Sequence, residues 1–313
     1  MPQVRLSALG KINLDLRVLH PRPDGYHEIR TIFQTISLAD VIDVEFASAP
    51  RTAIRIEGGP DIPDNLIAKA AALVLDALRM TARVTFRLRK KIPMGAGLGG
   101  GSSDAAAVLL ALPALAGRGL PLPRLMELGA ELGSDVPFFL LGGAAVALGR
   151  GTELYPLPDA PLAFGLLIAP ELHVSTAAAY RALTPRLTTE SQQNKIVSFQ
   201  SRTWEKLAAT GVNDFETVVF EQFPQLAALK RRLVKLGANP AMMTGSGSAL
   251  FGLFRTREQV RRAKKSFAEE RVFPISLVSR ARYRSLWWRT LRPYIEDKLW
   301  PPLSRSARGR PIV

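Results

Sequence analysis

Residues 93–104 read Pro93-Met94-Gly95-Ala96-Gly97-Leu98-Gly99-Gly100-Gly101-Ser102-Ser103-Asp104, a glycine-rich segment that runs directly into an alanine-rich one. Five glycines in seven residues allow a tight turn that directs several backbone N–H groups to one point and leaves room for a bulky ligand. Ser102, Ser103 and Asp104 are residue types that favour a helix N-cap, so a helix is predicted to follow. Free N–H groups at a helix N-terminus behind such a loop indicate an anion site, with a polyphosphate as the natural ligand.

Two other phosphate-binding motifs fit this segment less well. The glycine spacing over 95–100 matches a dinucleotide-binding fingerprint, but that motif follows a continuously apolar strand, whereas apolar and polar residues alternate over 83–89. The acidic residue expected about 20 residues later is missing, because no Asp or Glu lies between Asp104 and Glu127. A Walker loop requires Gly-Lys-Ser or Gly-Lys-Thr, which the chain lacks. A phosphate loop of another class is favoured over a glycine turn that binds no ligand.

The composition predicts a globular, cytoplasmic protein. A length of 313 residues and a hydrophobic content of 47% predict two domains of ordinary size, each able to bury a core. The sequence has no cysteine, so disulfides, thiolate chemistry and zinc–cysteine sites are excluded. Its three scattered histidines predict no metal cluster. It contains no run of 18 apolar residues and no apolar signal segment.

The formal net charge of +15 is unevenly distributed. Residues 280–313 hold nine Arg or Lys against two acidic residues, a net of +7, so the preceding 279 residues carry +8. A moderately basic body suits the binding of small anionic molecules. The segment 281–313 also holds three of the four tryptophans. The favoured interpretation is a partly helical tail that packs on its own domain or on a second subunit. A membrane or nucleic-acid surface is the alternative.

Alternating apolar and polar residues predict strands on both sides of the phosphate loop. The first strands flank the turn signal Asp24-Gly25 and so predict a hairpin. A helix with Asp64 or Asn65 as its N-cap precedes the loop, and Pro113 is expected to kink or end the helix after it. The predicted strands are 4–9, 12–18, 29–38, 41–46, 53–56, 83–89, 144–148, 164–168 and 249–254, and the later helices are 124–132, 176–180, 226–236 and 257–270.

Polar residues at the first strands are candidates for chemistry. Lys11 and Asn13 share the face opposite the apolar residues of their strand. A lysine there usually marks the solvated side of a strand, but beside a phosphate loop its compact cation suits a transferring phosphoryl group. Tyr26 and His27 follow the hairpin turn and are either surface residues or a platform for a flat ring.

Asp135 lies between Gly133 and an apolar run, at the boundary of two predicted elements. It is either the N-cap of the next helix or a general base that accepts a hydroxyl proton, for which an aspartate beside a lysine is suited. Further along the chain, three prolines in 154–161 mark the best candidate domain boundary. Residues 244–248 form a second glycine turn.

Five segments together closely resemble the GHMP kinase superfamily over about residues 5–279. They are Lys-Ile-Asn-Leu at 11–14, Arg-Pro-Asp-Gly-Tyr-His at 22–27, the loop 93–103, Gly-Ser-Asp-Val-Pro at 133–137 and Thr-Gly-Ser-Gly-Ser at 244–248. The resemblance implies an α+β fold with a ribosomal-S5-like N-terminal domain at 1–157 and a ferredoxin-like C-terminal domain at 158–280. The tail at 281–313 has no counterpart in the family.

The segment at 22–27 is similar to one branch of the superfamily. That branch phosphorylates the 2-hydroxyl of the methylerythritol part of a cytidine diphosphate conjugate, in the non-mevalonate route to isoprenoid precursors. The resemblance implies ATP as co-substrate and Mg²⁺ as the metal, without identifying the metal ligands. Another GHMP kinase that acts on a sugar or mevalonate-type alcohol is the first alternative. A basic nucleic-acid-binding protein is the second, and it leaves the glycine loop unexplained.

The resemblance also implies roles for individual residues. Asp135 corresponds to the catalytic aspartate that accepts the hydroxyl proton, and Lys11 to the lysine that orients this pair and offsets charge. The expected binding partners are ATP and a small-molecule substrate, and no nucleic acid is expected. The protein is expected to be a monomer or a homodimer. The ATP site is assigned to Pro93, Met94, Gly95, Ala96, Gly97, Leu98, Gly99, Gly100, Gly101, Ser102 and Ser103, with Asn65 and Leu66 on the adenine side, and the substrate end to Asn13, Tyr26, His27 and Tyr180.

Asp104 places a carboxylate one residue beyond the loop, close to the expected phosphates. Such a charge is tolerated if it caps the helix backbone, helps to hold the metal or points away from the phosphates. The sequence leaves these three possibilities open.

Overall fold

The computed structural model describes residues 2–187, 211–295 and 298–303. Its first element pair is a long hairpin, in which β1 (Gln3–Pro21) runs antiparallel to β2 (His27–Ser48). The predicted turn at Asp24-Gly25 is confirmed, and Gly25 has a φ of 81°, which glycine adopts without steric cost. The shorter strands predicted on each side are continuous in the structure. Irregularities of register bend the hairpin without ending its strands.

β2 is the centre of the first sheet. Its partner β1 covers one edge, while β4 and β5 share the other by pairing with residues 41–48 and 31–34. β3 runs parallel to β4, and α1 supplies the crossover that a parallel pair requires. The elements of this half after the hairpin are β3 (Ala53–Glu57), α1 (Leu66–Ala77), β4 (Ala82–Arg89), α2 (Gly100–Leu115), α3 (Leu122–Leu132), α4 (Val136–Leu141), β5 (Ala144–Leu148) and β6 (Glu153–Pro156).

The second half contains a four-stranded antiparallel sheet in the order β10-β7-β9-β8. Its strands are β7 (Phe164–Ile168), β8 (Ala241–Met243), β9 (Leu250–Phe254) and β10 (Val272–Ser276). Four helices pack against it: α5 (Thr176–Leu183), α6 (Glu216–Gln222), α7 (Pro224–Lys235) and α8 (Arg257–Lys265). The chain passes from the first sheet to the second between Pro156 and Phe164. The predicted α+β class is confirmed. The polar residues at 185–201 predict a loop region, of which 188–201 lies outside the described residues.

Buried side chains form one core in each half and a third cluster where the halves meet. The third cluster includes Ile12 of β1, Leu98 of the glycine loop and Phe251 of β9. α2 lies deep in the first core, and its side chains from Ser103 to Leu115 are all buried. The glycine loop is therefore fixed between a buried helix and the junction of the two halves.

Two expectations about α2 differ from the structure. The helix begins at Gly100 with Gly99 as its N-cap, so Ser102, Ser103 and Asp104 lie within the helix instead of capping it. The side chains of the last two bind other groups, because Ser103 donates to a carbonyl of β1 and Asp104 pairs with Lys90. Pro113 lies inside the helix, which continues to Leu115, so the helix does not end at the proline and only the predicted kink stays a prediction. The proline removes one hydrogen bond near the C-terminus, and burial of the helix on all sides outweighs that loss.

The helix predicted over 257–270 is also shorter than expected and ends at Lys265. Turns follow it, with the N–H of Phe267 donating to the Lys264 carbonyl. Phe267 is buried in the core of the second half. The chain therefore leaves the helix where this aromatic side chain must turn inward.

The described part of the tail packs on the first half of the same chain. It forms α9 (Arg280–Leu291), whose Tyr283, Trp287 and Leu291 are buried in the first core. Tyr294 exchanges two hydrogen bonds of 3.0 Å with the backbone of Gln3. This agrees with the interpretation of the tail as an extension that packs on its own domain. None of the helices in the described ranges has both the length and the apolar composition that a bilayer crossing requires.

Replacement of Asn65 by Ala is expected to lower the free energy of unfolding by about 1 kcal/mol. The Asn65 side chain caps α1 by accepting a 3.0 Å hydrogen bond from the N–H of Ile67, and alanine cannot accept it. Urea denaturation at constant m-value measures the change. Asn65→Asp retains an acceptor and is the control, expected to remain within a few tenths of a kcal/mol of wild type. An unchanged stability in Asn65→Ala contradicts the cap.

Candidate active site

The glycine loop joins β4 to α2 and lines a cavity of about 340 Å³. Gly95, Gly97 and Gly99 have φ angles of 65°, 78° and 66°, a region that other residues adopt only with strain. Gly99 is the N-cap of α2, so the first N–H groups of that helix, which have no intrahelical acceptor, lie at the cavity wall. Backbone donors converging behind a glycine loop form an anion site.

Most of the residues assigned to the ATP site line this one cavity. Residues 93–102 do so, together with Asn65 and Leu66 at the start of α1. Ser103 is the exception, since its buried hydroxyl donates to the carbonyl of Leu9 at 2.7 Å. The Ser103 hydroxyl therefore ties the loop to β1. The assignment of Ser103 to the ATP site stays a prediction.

Gly97 is required by packing as well as by backbone conformation. A Cβ built on Gly97 would lie 2.2 Å from the carbonyl oxygen of Thr244, and one built on Gly245 would lie 2.9 Å from the Gly97 Cα. The phosphate loop and the second glycine turn are thus in direct backbone contact. The glycine-rich sequence predicts open space for a ligand, whereas at Gly97 that space is occupied by the backbone of Thr244 and Gly245.

Lys11 and Asp135 meet at a second, smaller cavity of about 190 Å³. The Lys11 ammonium lies 3.5 Å from the Asp135 carboxylate, donates to Asn13 at 2.8 Å, and lies 4.9 Å from the centre of the Phe33 ring. The lysine side chain is 4% exposed and the aspartate 32% exposed. Asp135 makes no side-chain cap bond to α4. Its carboxylate is therefore available to the cavity.

The two cavities share Gly97 and Gly99 as a common wall. A ligand whose phosphates lie along the glycine loop in the larger cavity thus has its terminal group beside the smaller one. The second cavity holds one cation and one carboxylate, which are the groups expected around a transferring phosphoryl group and its acceptor.

Asn13 connects the two halves beneath this pair. Its Oδ1 accepts hydrogen bonds from the Lys11 ammonium, the Thr244 hydroxyl and the Gly245 N–H, at 2.8, 3.1 and 2.9 Å. Its amide N–H donates to the Thr31 hydroxyl at 2.7 Å. All these contacts are buried or partly buried, so Asn13 holds the lysine and the second glycine turn in one fixed arrangement.

Aromatic rings form the far end of the smaller cavity. Tyr180 lines it and stacks on His27, with ring centroids 4.7 Å apart and an interplanar angle of 28°. Burial, and secondarily the charge of His20, lowers the pKa of His27. Burial together with the Asp135 carboxylate raises the pKa of Tyr180 to about 12. Both rings are therefore uncharged at neutral pH.

Tyr26 does not join the other predicted substrate residues. Its ring is 52% exposed beside the hairpin turn, with the Arg150 guanidinium 4.8 Å from its centre. Tyr26 is absent from the lining of the smaller cavity, whereas its predicted partners Asn13 and Tyr180 line it directly.

Asp104 lines the larger cavity together with the glycine loop and belongs to a buried charge cluster. Lys90 donates to Asp104 at 2.8 Å and also to Asp40. Asp40 in turn accepts the backbone N–H groups of Lys91 and Ile92 at 2.6 and 2.9 Å, where the chain leaves β4. Burial raises the pKa of Asp104 to about 7, which Lys90 opposes and Asp40 reinforces. The cluster anchors the base of the loop.

Several residues of the smaller cavity were not predicted as site residues. Phe33, Thr176, Phe215 and Ser246 line it, and Thr176 and Ser246 share a 2.8 Å hydrogen bond across its rim. Asn213 lies beneath it and donates to the carbonyls of Met243 and Gly245, both at 2.8 Å. These residues lie far apart in the sequence, and no local motif marks them. Of these residues, only Ser246 belongs to a segment that the sequence marks, the second glycine turn.

Family models match two parts of the chain. "GHMP kinases N terminal domain" matches residues 65–143, and "GHMP kinases C terminal" matches residues 196–271. A protein of Solibacter usitatus named 4-diphosphocytidyl-2-C-methyl-D-erythritol kinase is 61% identical over 305 residues, which are 96% of each chain. A protein of the same name from Pelobacter propionicus is 41% identical, covering 86% of this chain and 96% of its own.

The fold also matches a solved structure. The crystal structure of a 4-(cytidine 5'-diphospho)-2C-methyl-D-erythritol kinase superposes with a TM-score of 0.73 and 38% sequence identity. The match covers 87% of this chain and 98% of the other.

Stability should depend on pH through Asp104. Folding raises its pKa from 3.8 to about 7, so between these values the folded state binds more protons than the unfolded state. The contribution of Asp104 to the free energy of unfolding therefore decreases as pH rises between these two values, by up to about 1.4 kcal/mol per pH unit. Asp104→Asn removes this dependence, so its free energy of unfolding should rise relative to wild type from about pH 4 to about pH 7.

Urea denaturation at several pH values measures the difference. Asp76→Asn, at an exposed position of α1, controls for the loss of one carboxylate and should track wild type. Parallel curves for wild type and Asp104→Asn across the window would show that Asp104 is ionised throughout.

Proposed function

The chain belongs to the GHMP kinase family, and from this membership we propose that it transfers the terminal phosphoryl group of ATP to the 2-hydroxyl of 4-diphosphocytidyl-2-C-methyl-D-erythritol. It is an ATP-dependent small-molecule kinase. The proposed substrate agrees with the names of the relatives that are 61% and 41% identical. The observation that carries the proposal is the pair of cavities that share the glycine loop, with Lys11 and Asp135 together in the smaller one.

In the proposed complex, ATP occupies the larger cavity. The loop 93–102 and the N-terminus of α2 bind its phosphates through backbone N–H groups, and Asn65 and Leu66 lie on the adenine side. The terminal phosphate then lies beside Gly97 and Gly99, which also line the smaller cavity. Phosphoryl transfer requires positioning and charge neutralisation above all, so a rigid cradle supplies much of the catalysis.

The side-chain oxygens that line the larger cavity suit a Mg²⁺ ion that binds together with the nucleotide. No group of three or more His, Asp or Glu side chains able to hold a metal occurs within the described ranges. Mg²⁺ commonly keeps several waters and binds through substrate phosphates with one or two protein oxygens. Ser102 and Asp104, which both line the larger cavity, are side chains placed to contribute such oxygens. When bound, the ion neutralises charge on the phosphates.

Asp135 is proposed to accept the proton of the substrate hydroxyl as that oxygen attacks phosphorus. Lys11 is proposed to orient the carboxylate through their 3.5 Å ion pair and to offset negative charge on the transferring group. Within the described residues, Lys11 directs its N–H donors to Asn13 and Asp135, and an ammonium has three of them. The third donor is available for a phosphoryl oxygen.

The cytosine of the substrate is proposed to bind at the aromatic end of the smaller cavity. Tyr180 and His27 already stack on each other there, and both are neutral at physiological pH. Burial of an aromatic base against such rings contributes about 1–3 kcal/mol. This end distinguishes a cytidine conjugate from the free alcohols that other GHMP kinases use.

Asp135→Asn is expected to lower kcat by about two orders of magnitude or more, because the amide cannot accept the proton. The KM for ATP should change little, since Asp135 lies outside the larger cavity. Steady-state assays with the cytidine conjugate measure both constants. Glu131→Gln, exposed on α3, is the matched control and should retain wild-type kinetics. Near-normal turnover by Asp135→Asn removes Asp135 from the role of base.

Tyr180→Ala should raise the KM for the cytidine conjugate about 5- to 150-fold through loss of stacking, while Tyr180→Phe should change it little. The KM for ATP should be unchanged in both variants. Tyr155→Ala, at an exposed tyrosine on β6, controls for loss of a phenol ring. A panel that includes free methylerythritol, homoserine and mevalonate tests the substrate class. Preference for a free alcohol would identify another GHMP kinase.

A further inference from the structure

The C-terminal segment from Arg280 onward lies beyond both family models, the second of which ends at residue 271. Its side chains nevertheless contact the helix that follows Asp135. The Tyr283 hydroxyl donates to the carbonyl of Phe139 at 2.5 Å, and the Trp300 indole N–H donates to the carbonyl of Leu140 at 2.9 Å. Both acceptors belong to the last turn of α4.

α4 depends on such contacts because it has only six residues. The last four carbonyls of any helix lack intrahelical donors, and so short a helix is not stable by its own hydrogen bonds. The carbonyl of Phe138 is bound by the N–H of Gly142 at 2.9 Å. The carbonyls of Phe139 and Leu140 are bound by the C-terminal segment. Two aromatic side chains from outside the family models thus cap this helix.

The chain leaving α4 is shaped to receive the segment. Gly142 has a φ of 65°, and a Cβ there would lie 2.2 Å from the Tyr283 ring. Arg280 donates to the carbonyl of Gly142 at 3.2 Å, to that of Leu157 at 3.0 Å and to that of Ala144. Burial raises the pKa of the Tyr283 hydroxyl, which therefore stays protonated as a donor.

Aromatic contacts and hydrogen bonds connect the described residues of this segment to one another and to β1. Trp300 packs edge-to-face against Tyr283 and Trp288, with ring centroids 6.2 and 6.4 Å away. The Trp288 indole N–H donates to Leu299 within the segment at 3.1 Å and not to α4. Tyr294 binds the backbone of Gln3 at the start of β1, the strand that carries Lys11. The segment therefore contacts β1, which carries Lys11, and α4, which begins directly after Asp135.

We propose that residues 280–295 and 298–303 fix the position of Asp135 by capping α4, with Tyr283 and Trp300 as positioning residues for the phosphoryl transfer. This inference rests on the proposed function of Asp135. Phe139 of α4 also contacts the glycine loop. Its ring lies against Gly99, where an added Cβ would lie 2.9 Å from the ring. A shift of α4 thus alters both the carboxylate and the wall of the phosphate cavity.

The test uses Tyr283→Phe and Trp300→Phe, which each remove one donor and keep the ring. Each should lower kcat roughly 3- to 30-fold, with little change in the KM for ATP. Tyr155→Phe removes a phenol hydroxyl at an exposed position of β6 that no hydrogen bond among the described residues joins to α4, and it is the control, expected to retain wild-type kcat. Thermal unfolding of all three variants identifies any that fail to fold at the assay temperature. Trp300→Phe then carries the test if Tyr283→Phe does not fold.

The same substitutions in an Asp135→Asn background separate positioning from general destabilisation. If Tyr283 acts through Asp135, Tyr283→Phe should have little further effect on the residual rate of that variant. Equal fold losses in both backgrounds overturn the inference, as do losses in Tyr155→Phe equal to those in Tyr283→Phe.

Hydrogen exchange keeps this test independent of the substrate assignment. Amide exchange in the peptide spanning 136–142 should quicken in Tyr283→Phe and Trp300→Phe and remain at the wild-type rate in Tyr155→Phe. If wild type does not phosphorylate the cytidine conjugate, the proposed function fails, and exchange still decides whether the segment caps α4. Unchanged exchange in both test variants overturns the cap.

Discussion

The buried ammonium of Lys11 is the constraint on which the arrangement of this molecule depends. A lysine side chain that is 4% exposed has lost most of its hydration, and that loss costs several kcal/mol unless other groups compensate. Asn13, Asp135 and the Phe33 ring supply the compensation. These groups come from β1, the start of α4 and β2, so the three elements must meet at one point. That point is the cavity assigned to phosphoryl transfer.

A second constraint joins the halves of the molecule. The phosphate loop and the turn at 244–248 approach so closely that neither Gly97 nor Gly245 can carry a side chain. Asn13 binds both Lys11 and Gly245, so the lysine and the junction share one hydrogen-bond network. Thr244 adds its hydroxyl to the same acceptor. The geometry proposed for catalysis is therefore inseparable from the packing of the two halves.

The charge of the tail has a structural use in its described part. Arg280 donates to three backbone carbonyls, and burial lowers its pKa. Arg284 lies 5.1 Å from the Trp300 ring centre, and burial also lowers its pKa. These guanidinium groups contribute to the positive charge of the sequence while serving the fold. Net charge alone was a poor guide to the function of this segment.

The sequence by itself determined the elements whose cause is local. Alternation predicted most of the strands but not β6, β8 or β10, and Asp24-Gly25 predicted the hairpin turn. The helix cap was expected at Asp64 or Asn65, and the structure has it at Asn65. Glycine spacing predicted a loop before α2. Local signals failed for Ser103 and Asp104, because partners more than ten residues away in the chain bind their side chains.

Tertiary structure alone decided which distant residues meet. It placed Asn213, Phe33 and Thr176 at the smaller cavity and left Tyr26 at the surface. It also brought the C-terminal aromatic residues onto α4, more than 140 residues earlier in the chain. Hydrogen bonds and packing act over a few ångströms of space without regard to separation along the chain. A pattern of neighbouring residues therefore specifies turns, caps and strands, but not the partners that folding brings together.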